Sequence, residues 1–368
     1  MRICFYNVTA SFIPGGLETY CWEVGRALAR RGHEVTIAAG DRGGPRHDEV
    51  ALVRFPFRIE QSWPHFGHRF RRLMERLSFA AGGGLDHLVD AGYDAVVINK
   101  PFDFPVLWRA RRRGMKASTL FRSGGTDFFL GDRLFAGAVD HWVSTSRYNA
   151  AQIEARYGRA VTVIHNGVDT EHFRPAVRAG DYAGVPPGAR VILSVGRLVG
   201  WKGLHVIIDA LAQLSDDVHY LALGEGSEQQ ALQARAVERG VGDRIHFAGR
   251  IPHAELPRWL ARGDVFVQPS IGEEAFGISV VEAMACGLPV LASDNGGMKE
   301  IVITGEAGRL LPAGDVLAWR DAIAALLDNA AMRSAQGEAS RRRAIDHFTW
   351  AANAVALERM LAGHQDEN

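Results

Sequence analysis

Asp264-Val-Phe-Val-Gln-Pro-Ser-Ile-Gly-Glu-Glu-Ala-Phe-Gly-Ile-Ser-Val-Val-Glu-Ala-Met-Ala-Cys-Gly-Leu-Pro-Val-Leu-Ala-Ser293 contains a strand, a loop and a helix in succession. The apolar run Asp264 to Pro269 reads as a buried parallel strand, and Ile278 to Cys286 reads as a helix that Gly287 and Pro289 end. In such a unit, ligands sit where the loop leaves the strand and the helix begins, because free backbone N–H groups and the helix dipole converge there. Glu274 lies in that loop and Glu282 about one turn into the helix. Carboxylates repel phosphate, so their natural partners are hydroxyl groups, which a sugar or ribose offers in pairs.

The same architecture recurs upstream with the opposite charge. Val191 to Val195 is β-prone, Gly196 ends it, Arg197 and Lys202 follow, and Gly203 precedes a helix from Leu204 to Leu214. A guanidinium fork and an ammonium at a helix amino end suit a phosphate or diphosphate. The chain has four lysines, Lys100, Lys116, Lys202 and Lys299, against 38 arginines, so a lysine in this loop is compositionally unusual. Either cation alone would read as a solvated loop residue. Beside hydroxyl-binding carboxylates, a ligand site is the better reading.

Strand-like and helix-like segments alternate along the whole chain, which predicts an α/β protein with parallel sheets and crossover helices in both halves. The first half offers strands at 2–8, 34–39, 95–99, 117–121 and 141–144, with a helix over 17–31. The second offers strands at 191–195, 218–223, 245–247, 265–267 and 289–292. Asn166 to Arg174, Pro175 and the Gly180 to Pro187 stretch read as the linker, with the domain boundary near residue 180. There is no internal repeat or low-complexity segment.

Bulk properties exclude several classes. At 368 residues and 47% apolar content, the chain can bury two cores and does not read as disordered. Met1 to Val8 is too short an apolar run for a signal peptide, and no stretch approaches the roughly 20 apolar residues of a membrane span, so a cytoplasmic protein is expected. The three cysteines, Cys4, Cys21 and Cys286, lack metal-ligand spacing and read as packing residues. Residues 1–180 carry 25 basic and 18 acidic residues, net +7, and residues 181–368 carry 17 and 24, net −7. Such a dipole serves either domain contact or attraction of the first half to an anionic surface or acceptor. No nucleic-acid partner is expected.

Several motifs together carry a family resemblance: Gly196-Arg197 with Lys202-Gly203, Gly224-Glu225-Gly226, Phe247-Ala-Gly249, Glu274-Ala-Phe-Gly277, Glu282-Ala-Met-Ala-Cys-Gly-Leu-Pro289, Gly296-Gly297 with Glu300-Ile-Val302, and Ile164-His-Asn-Gly-Val-Asp-Thr-Glu-His-Phe-Arg-Pro175. In their order and spacing the chain resembles glycosyltransferase family 4, most strongly from about residue 140 to 315. The resemblance implies a GT-B fold, two Rossmann-like domains whose parallel sheets face an interdomain cleft. It places an acceptor-binding domain at 1–178, a terminal helix at 350–363 crossing back to it, and a donor-binding domain at 185–346. It also implies transfer of a sugar, with retention, from a nucleotide diphosphate sugar to a hydroxyl acceptor.

By that resemblance Glu274 holds hydroxyls of the transferred sugar, helped by backbone N–H groups at Phe276, Gly277 and Ile278, and Glu282 holds the ribose. Gly249, Arg250 and Ile251 flank the base, Gly224 lies on the donor side, and Gly15 and Gly16 in the turn Ile13 to Thr19 approach the donor phosphates. Arg197 and Lys202 would stabilise the departing diphosphate without a metal, in keeping with the absence of an Asp-x-Asp motif; no cofactor is expected. The Gly224-Glu-Gly226 turn is no dehydrogenase fingerprint, because Gln229 stands at the third glycine position.

One departure concerns the acceptor side. Many family members carry a histidine where this chain has Gly124, in Phe121-Arg-Ser-Gly-Gly-Thr-Asp127, and Arg122 and Asp127 are the nearest polar substitutes. Asp127 also suits a helix amino cap, and His165 reads as a packed boundary residue. Rival readings are a GT-B epimerase, a phosphorylase with Lys299 as its cofactor lysine, a non-catalytic nucleotide-sugar binding module, and a glycosyltransferase with a soluble natural-product acceptor. Cell-envelope glycolipid, polysaccharide or glycoconjugate synthesis is the favoured setting.

Between Phe66 and Ala81, the apolar residues Phe66, Phe70, Leu73, Met74 and Leu77 fall on one helical face, with Arg69, Arg72 and Arg76 on the rest and Trp63 ahead. Two readings follow. Either the apolar face packs on its own domain, or the segment, with Arg109, Arg111, Arg112 and Arg113, lies peripherally on an anionic inner leaflet and collects a lipid-linked acceptor.

Overall fold

A computed structural model describes residues 1–12, 15–43, 48–176 and 184–363. Packing divides the chain into two units, Met1–Asn166 together with the stretch from Trp350, and Gly167–Thr349.

In the first unit, short apolar runs form β1 (Arg2–Tyr6), β2 (Glu34–Gly40), β3 (Ala51–Phe55), β4 (Ala95–Ile98), β5 (Ser118–Ser123), β6 (His141–Ser144) and β7 (Thr162–Val163). They pair in the order β3-β2-β1-β4-β5-β6-β7, every pair parallel. Ile3, Cys4, Phe5 and Tyr6 of β1 are all fully buried, as a parallel sheet covered by helices on both faces requires. The helices are α1 (Gly16–Ala29), α2 (His68–Phe79), α3 (Leu85–Asp90), α4 (Phe104–Arg112) and α5 (Arg147–Tyr157). Crossover order puts the loops that follow β1, β4 and β5 at one edge of the sheet, where Asn99, Lys100, Arg122 and Asp127 lie.

The second unit repeats the plan. Its strands are β8 (Arg190–Val195), β9 (Val218–Leu223), β10 (Ile245–Phe247), β11 (Val265–Gln268), β12 (Val290–Ser293) and β13 (Arg309–Leu311), in the parallel order β10-β9-β8-β11-β12-β13. Around them run α6 (Leu204–Leu211), α7 (Gln229–Glu238), α8 (Leu256–Leu260), α9 (Ile278–Ala285), α10 (Met298–Ile301), α11 (Val316–Asp328) and α12 (Ala330–His347). The sheet order reverses at β8, whose neighbours are β9 and β11, so the loops after β8 and β11 converge at a topological switch point. Those are the two loops that carry Lys202 and Glu274.

The last helix, α13 (Trp350–Ala362), belongs to the first unit, where Trp350 meets Tyr20 of α1 with ring centroids 6.2 Å apart and Arg31 Nε donates to Glu358 at 2.7 Å.

The linker reading of Asn166 to Arg174 needs correction. Val168 N–H donates to Phe348 O at 2.9 Å and Phe173 is fully buried in the second unit's core, so packing ends the first unit at Asn166. The expected boundary near residue 180 falls outside the described residues. Strands β3, β7 and β13 were absent from the sequence expectation. Each is an edge strand whose residues are mostly exposed or half-buried, so none makes a continuous buried apolar run.

Helix α2 also departs from the packed-face expectation. Its buried residues are Glu75, Arg76 and Phe79, whereas Phe66 ahead of it is 75% exposed and Leu77 37%. Arg76 donates to the buried Asp103 at 3.0 Å and Glu75 accepts from the Glu60 N–H at 2.9 Å, so polar groups anchor the helix; of its apolar stripe, Phe70, Leu73 and Met74 are half-buried and Phe66 and Leu77 are exposed. No helix among the described residues is long and apolar enough to cross a membrane.

Candidate active site

Glu274 and Lys202 meet. A 3₁₀ turn at Gly200–Lys202 follows β8, and Trp201 O accepts from the N–H groups of Ile271 at 2.9 Å and Gly272 at 3.0 Å, which clamps this loop onto the one after β11. Lys202 Nζ then lies 4.7 Å from the Trp201 ring centroid and donates to Glu274 Oε1. The same oxygen accepts from Gln268 Nε2 at 2.9 Å and Ser270 Oγ at 3.0 Å. Three donors on one oxygen orient a nearly buried carboxylate and leave Oε2 without a partner among the described residues.

The loop is held from behind by Asn295, whose amide donates to Ser270 O at 2.7 Å and Gly272 O at 3.0 Å, and by Gly297 N–H, which donates to Glu274 O at 2.8 Å. Gly277 opens α9 at φ 126°, a backbone state that favours glycine, and a Cβ there would collide with Met298. The N–H groups of Gly277 and Ile278 find no acceptor among the described residues, so they face the site as ready donors. Phe276 contributes only backbone: its side chain is core, 5.8 Å from the Phe348 ring.

Glu282, 5% exposed on α9, accepts from His253 Nε2 at 2.7 Å when that nitrogen carries the proton. Arg250 and Ile251 lie just ahead of this histidine, Arg250 exposed and Ile251 half-buried. Gly224 is where β9 ends against its neighbours: its N–H donates to Gly249 O at 2.8 Å, and a Cβ would strike Gly196 O. That close approach explains the glycine and brings the loops after β8, β9 and β10 side by side. Arg197 is exposed beside them.

The first unit places its candidates differently. Gly15 caps α1 and Gly16 begins it, but the first turn holds Glu18, whose Oε1 accepts from Thr9 Oγ1 at 2.5 Å, so an anion there would meet a carboxylate. Ile13 and Pro14 of that turn lie outside the described residues. Asp127 is no helix cap: it accepts from Arg72 and, at 3.3 Å, from Lys100 Nζ. Arg122 is buried, 4.0 Å from the Tyr20 ring centroid, and donates to Asn166 Oδ1. Sequence reasoning missed Gln268, Ser270, Asn295, His253 and Lys100. For the first two the signal was present, since polar residues at the carboxyl end of a parallel strand face the ligand edge.

Two family profiles cover almost the whole chain, Glycosyltransferase Family 4 at residues 14–172 and Glycosyl transferases group 1 at residues 183–343. The GDP-mannose-dependent alpha-(1-6)-phosphatidylinositol monomannoside mannosyltransferase of Mycobacterium tuberculosis is 30% identical over 390 residues, covering 97% of each chain. The chain belongs to glycosyltransferase family 4. This family 4 glycosyltransferase is also 30% identical, over 93% of its length and 88% of the relative's, to D-inositol 3-phosphate glycosyltransferase 2 of Catenulispora acidiphila. Among solved structures, sucrose-phosphate synthase of Thermosynechococcus elongatus superposes with a TM-score of 0.83 at 23% identity, each chain fully covered. The glycosyltransferase therefore has the GT-B fold, with two Rossmann-like parallel-sheet units.

Proposed function

We propose that this glycosyltransferase moves a hexose, with retention of anomeric configuration and without a metal, from a nucleotide diphosphate sugar to a hydroxyl acceptor of the cell envelope. The observation that carries the reading is the Lys202–Glu274 pair at the switch point, beside the unpartnered N–H groups that open α9. Glu274 Oε2 accepts from hydroxyls of the transferred sugar, while Gln268 and Ser270 hold the other oxygen. Glu282 takes the ribose hydroxyls, exchanging His253 for them or sharing it. As the bond to the leaving diphosphate breaks, negative charge grows on its oxygens; Lys202 and Arg197 stabilise that charge most in the transition state, which is the condition for catalysis. Lys202 is preorganised for this by Glu274 and Trp201, and the exposed Arg197 joins it from the same loop.

A lipid-linked acceptor at an anionic membrane surface is favoured by α2. Its exposed Phe66 and Leu77 are joined by Leu130, 97% exposed, and Leu134, 80% exposed, in the segment that Asp127 ties to α2 through Arg72. Arg69, Arg109 and Arg133 have no partner among the described residues and are the cations of this group left for lipid phosphates. Arg111 and Arg113 are engaged by Asp140 and Asp86, Arg112 lies over Trp108, and Arg76 is buried, so they do not serve that role. The competing soluble acceptor draws on the likeness to a D-inositol 3-phosphate glycosyltransferase.

The test is a panel of uridine and guanosine diphosphate sugars, including GDP-mannose, read by thermal shift and by nucleoside diphosphate release. One donor should stabilise the protein selectively and be hydrolysed slowly without acceptor. With an acceptor-bearing lipid extract, the anomeric coupling of the product should match the donor. No stabilisation by any donor, or donor epimerised with no transfer, would overturn the reading.

A further inference from the structure

His253 begins the short 3₁₀ turn His253–Glu255 that follows β10 and Pro252. Its Nε2 lies 2.7 Å from Glu282 Oε1, and because a carboxylate only accepts, Nε2 is the donor. The Glu282 side chain is 7% exposed and that of His253 46%, so the pair is buried on the glutamate side and open on the histidine side. Glu282 Oε2 has no partner among the described residues.

A half-open imidazole would turn freely unless something held it. Here the holder is the segment with which the second unit begins. Asp169 Oδ1 accepts from the N–H groups of Glu171 at 3.0 Å and His172 at 3.1 Å, and Asp169 O accepts from Phe173 N–H at 2.8 Å, which curls the segment into a turn. Phe173 enters the core with its ring centroid 5.1 Å from that of His253, and His172 Nε2 reaches His253 O at 3.4 Å. One neighbour packs on the imidazole and the other holds the backbone behind it.

An anchored donor preorganises the carboxylate it touches. A glutamate side chain must otherwise lose its rotational freedom when a ligand arrives, and that loss is subtracted from affinity. A carboxylate has about four lone-pair sites, of which His253 takes one, so Oε2 and the remainder of Oε1 stay open to a pair of hydroxyls. With its own supports behind it, the imidazole keeps its place as those hydroxyls bind.

We infer that His253 is the positioning residue of the nucleotide subsite: it aims Glu282 at the ribose and so sets how strongly the site prefers a ribonucleotide to one lacking the ribose hydroxyls. The inference rests on the reading that Glu282 meets the ribose. His253 acts through Glu282 and not on the reacting atoms, so its loss is felt in donor binding and not in the chemical step.

The experiment is calorimetry on the full chain with UDP, GDP and their 2′,3′-dideoxy analogues. Wild type should prefer the ribonucleotide by roughly 10–100-fold, the worth of a hydrogen bond to a charged group. His253→Ala should weaken the ribonucleotide, leave the dideoxy analogue nearly unchanged, and so reduce the preference to about threefold or less. His253→Gln, whose amide reaches the carboxylate, should restore most of it. In steady-state assays His253→Ala should raise the donor KM with kcat nearly unchanged. Should the alanine variant fail to fold, His253→Asn, whose amide ends short of Glu282, takes its place.

An undiminished preference in either variant overturns the inference, and so does an affinity loss shared equally by ribonucleotide and dideoxy analogue, which is what a merely structural role would give. If the preference follows His253 but no sugar is transferred, the transferase reading fails and the role of His253 stands. If neither UDP nor GDP binds the wild type, the nucleotide reading falls and takes the inference with it.

Discussion

Lys202 and Glu274 neutralise each other in this structure, which sets what their replacement does. Lys202→Ala or Arg197→Ala should lower kcat by roughly 10²–10³, the range for a preorganised charge stabiliser; losses below tenfold for both would return them to the solvated-loop role. Because Lys202 also orients Glu274, the Lys202→Ala and Glu274→Gln effects should not add. The loss in kcat/KM for the double variant should fall well short of the product of the single losses, and a multiplicative result would show that the ion pair is incidental. Glu282→Gln should weaken binding of the bare nucleoside diphosphate, whereas Glu274→Gln should weaken only the sugar-bearing donor. Calorimetry with both ligands checks this, and equal effects on the bare nucleotide would exchange the roles.

Helix α2 is held to its unit by the polar residues Glu75 and Arg76, and by Phe79, whereas Phe66 and Leu77 are exposed and contribute little to packing. Replacing Phe66 and Leu77 with Ser should therefore leave Tm within a degree or two and yet reduce co-sedimentation with vesicles containing phosphatidylglycerol. Wild-type binding should rise with anionic lipid and fall with salt, and Arg69→Gln with Arg133→Gln should weaken it. Indifference of the wild type to such vesicles at low salt would favour the soluble acceptor. Helix α13 makes the opposite case. Trp350 is 6% exposed and packs on Tyr20, so Trp350→Ala should cost about 3–5 kcal/mol in urea unfolding of the first unit. A cost under 1 kcal/mol would mean that α13 is not part of that core.

At the scale of the molecule, the proposed mechanism assigns the leaving-group charge to protein cations. Dialysis against EDTA should leave initial transfer rates unchanged, and activity lost and then restored by Mg²⁺ or Mn²⁺ would move that role to a metal. The charge dipole, +7 before residue 181 and −7 after, makes the first unit the side on which an anionic surface or acceptor is expected. The two units repeat one plan with different loop chemistry. Carboxylates, a lysine and helix N–H groups converge at the switch point of the second, whereas Arg122, Lys100 and Asp127 lie at the strand ends of the first.

Strand and helix identity was legible from local composition: Val218–Leu223 and Ile245–Phe247 form strands over their expected ranges, and α9 begins at the expected Ile278. The roles suggested for Glu274, Glu282, Arg197 and Lys202 rested on residue type and on position after a strand, both of which are local in the chain. Tertiary structure decided what depends on distant partners. Lys202 and Glu274 are 72 residues apart and meet only because β8 and β11 are sheet neighbours. Likewise, the burial of Glu75 and Arg76 on α2 depended on Glu60 and Asp103 lying opposite them, which the apolar stripe alone could not show. That no carboxylate among the described residues pairs with Arg122 is also a fact of folding, because a sequence lists charges and only packing determines which are matched.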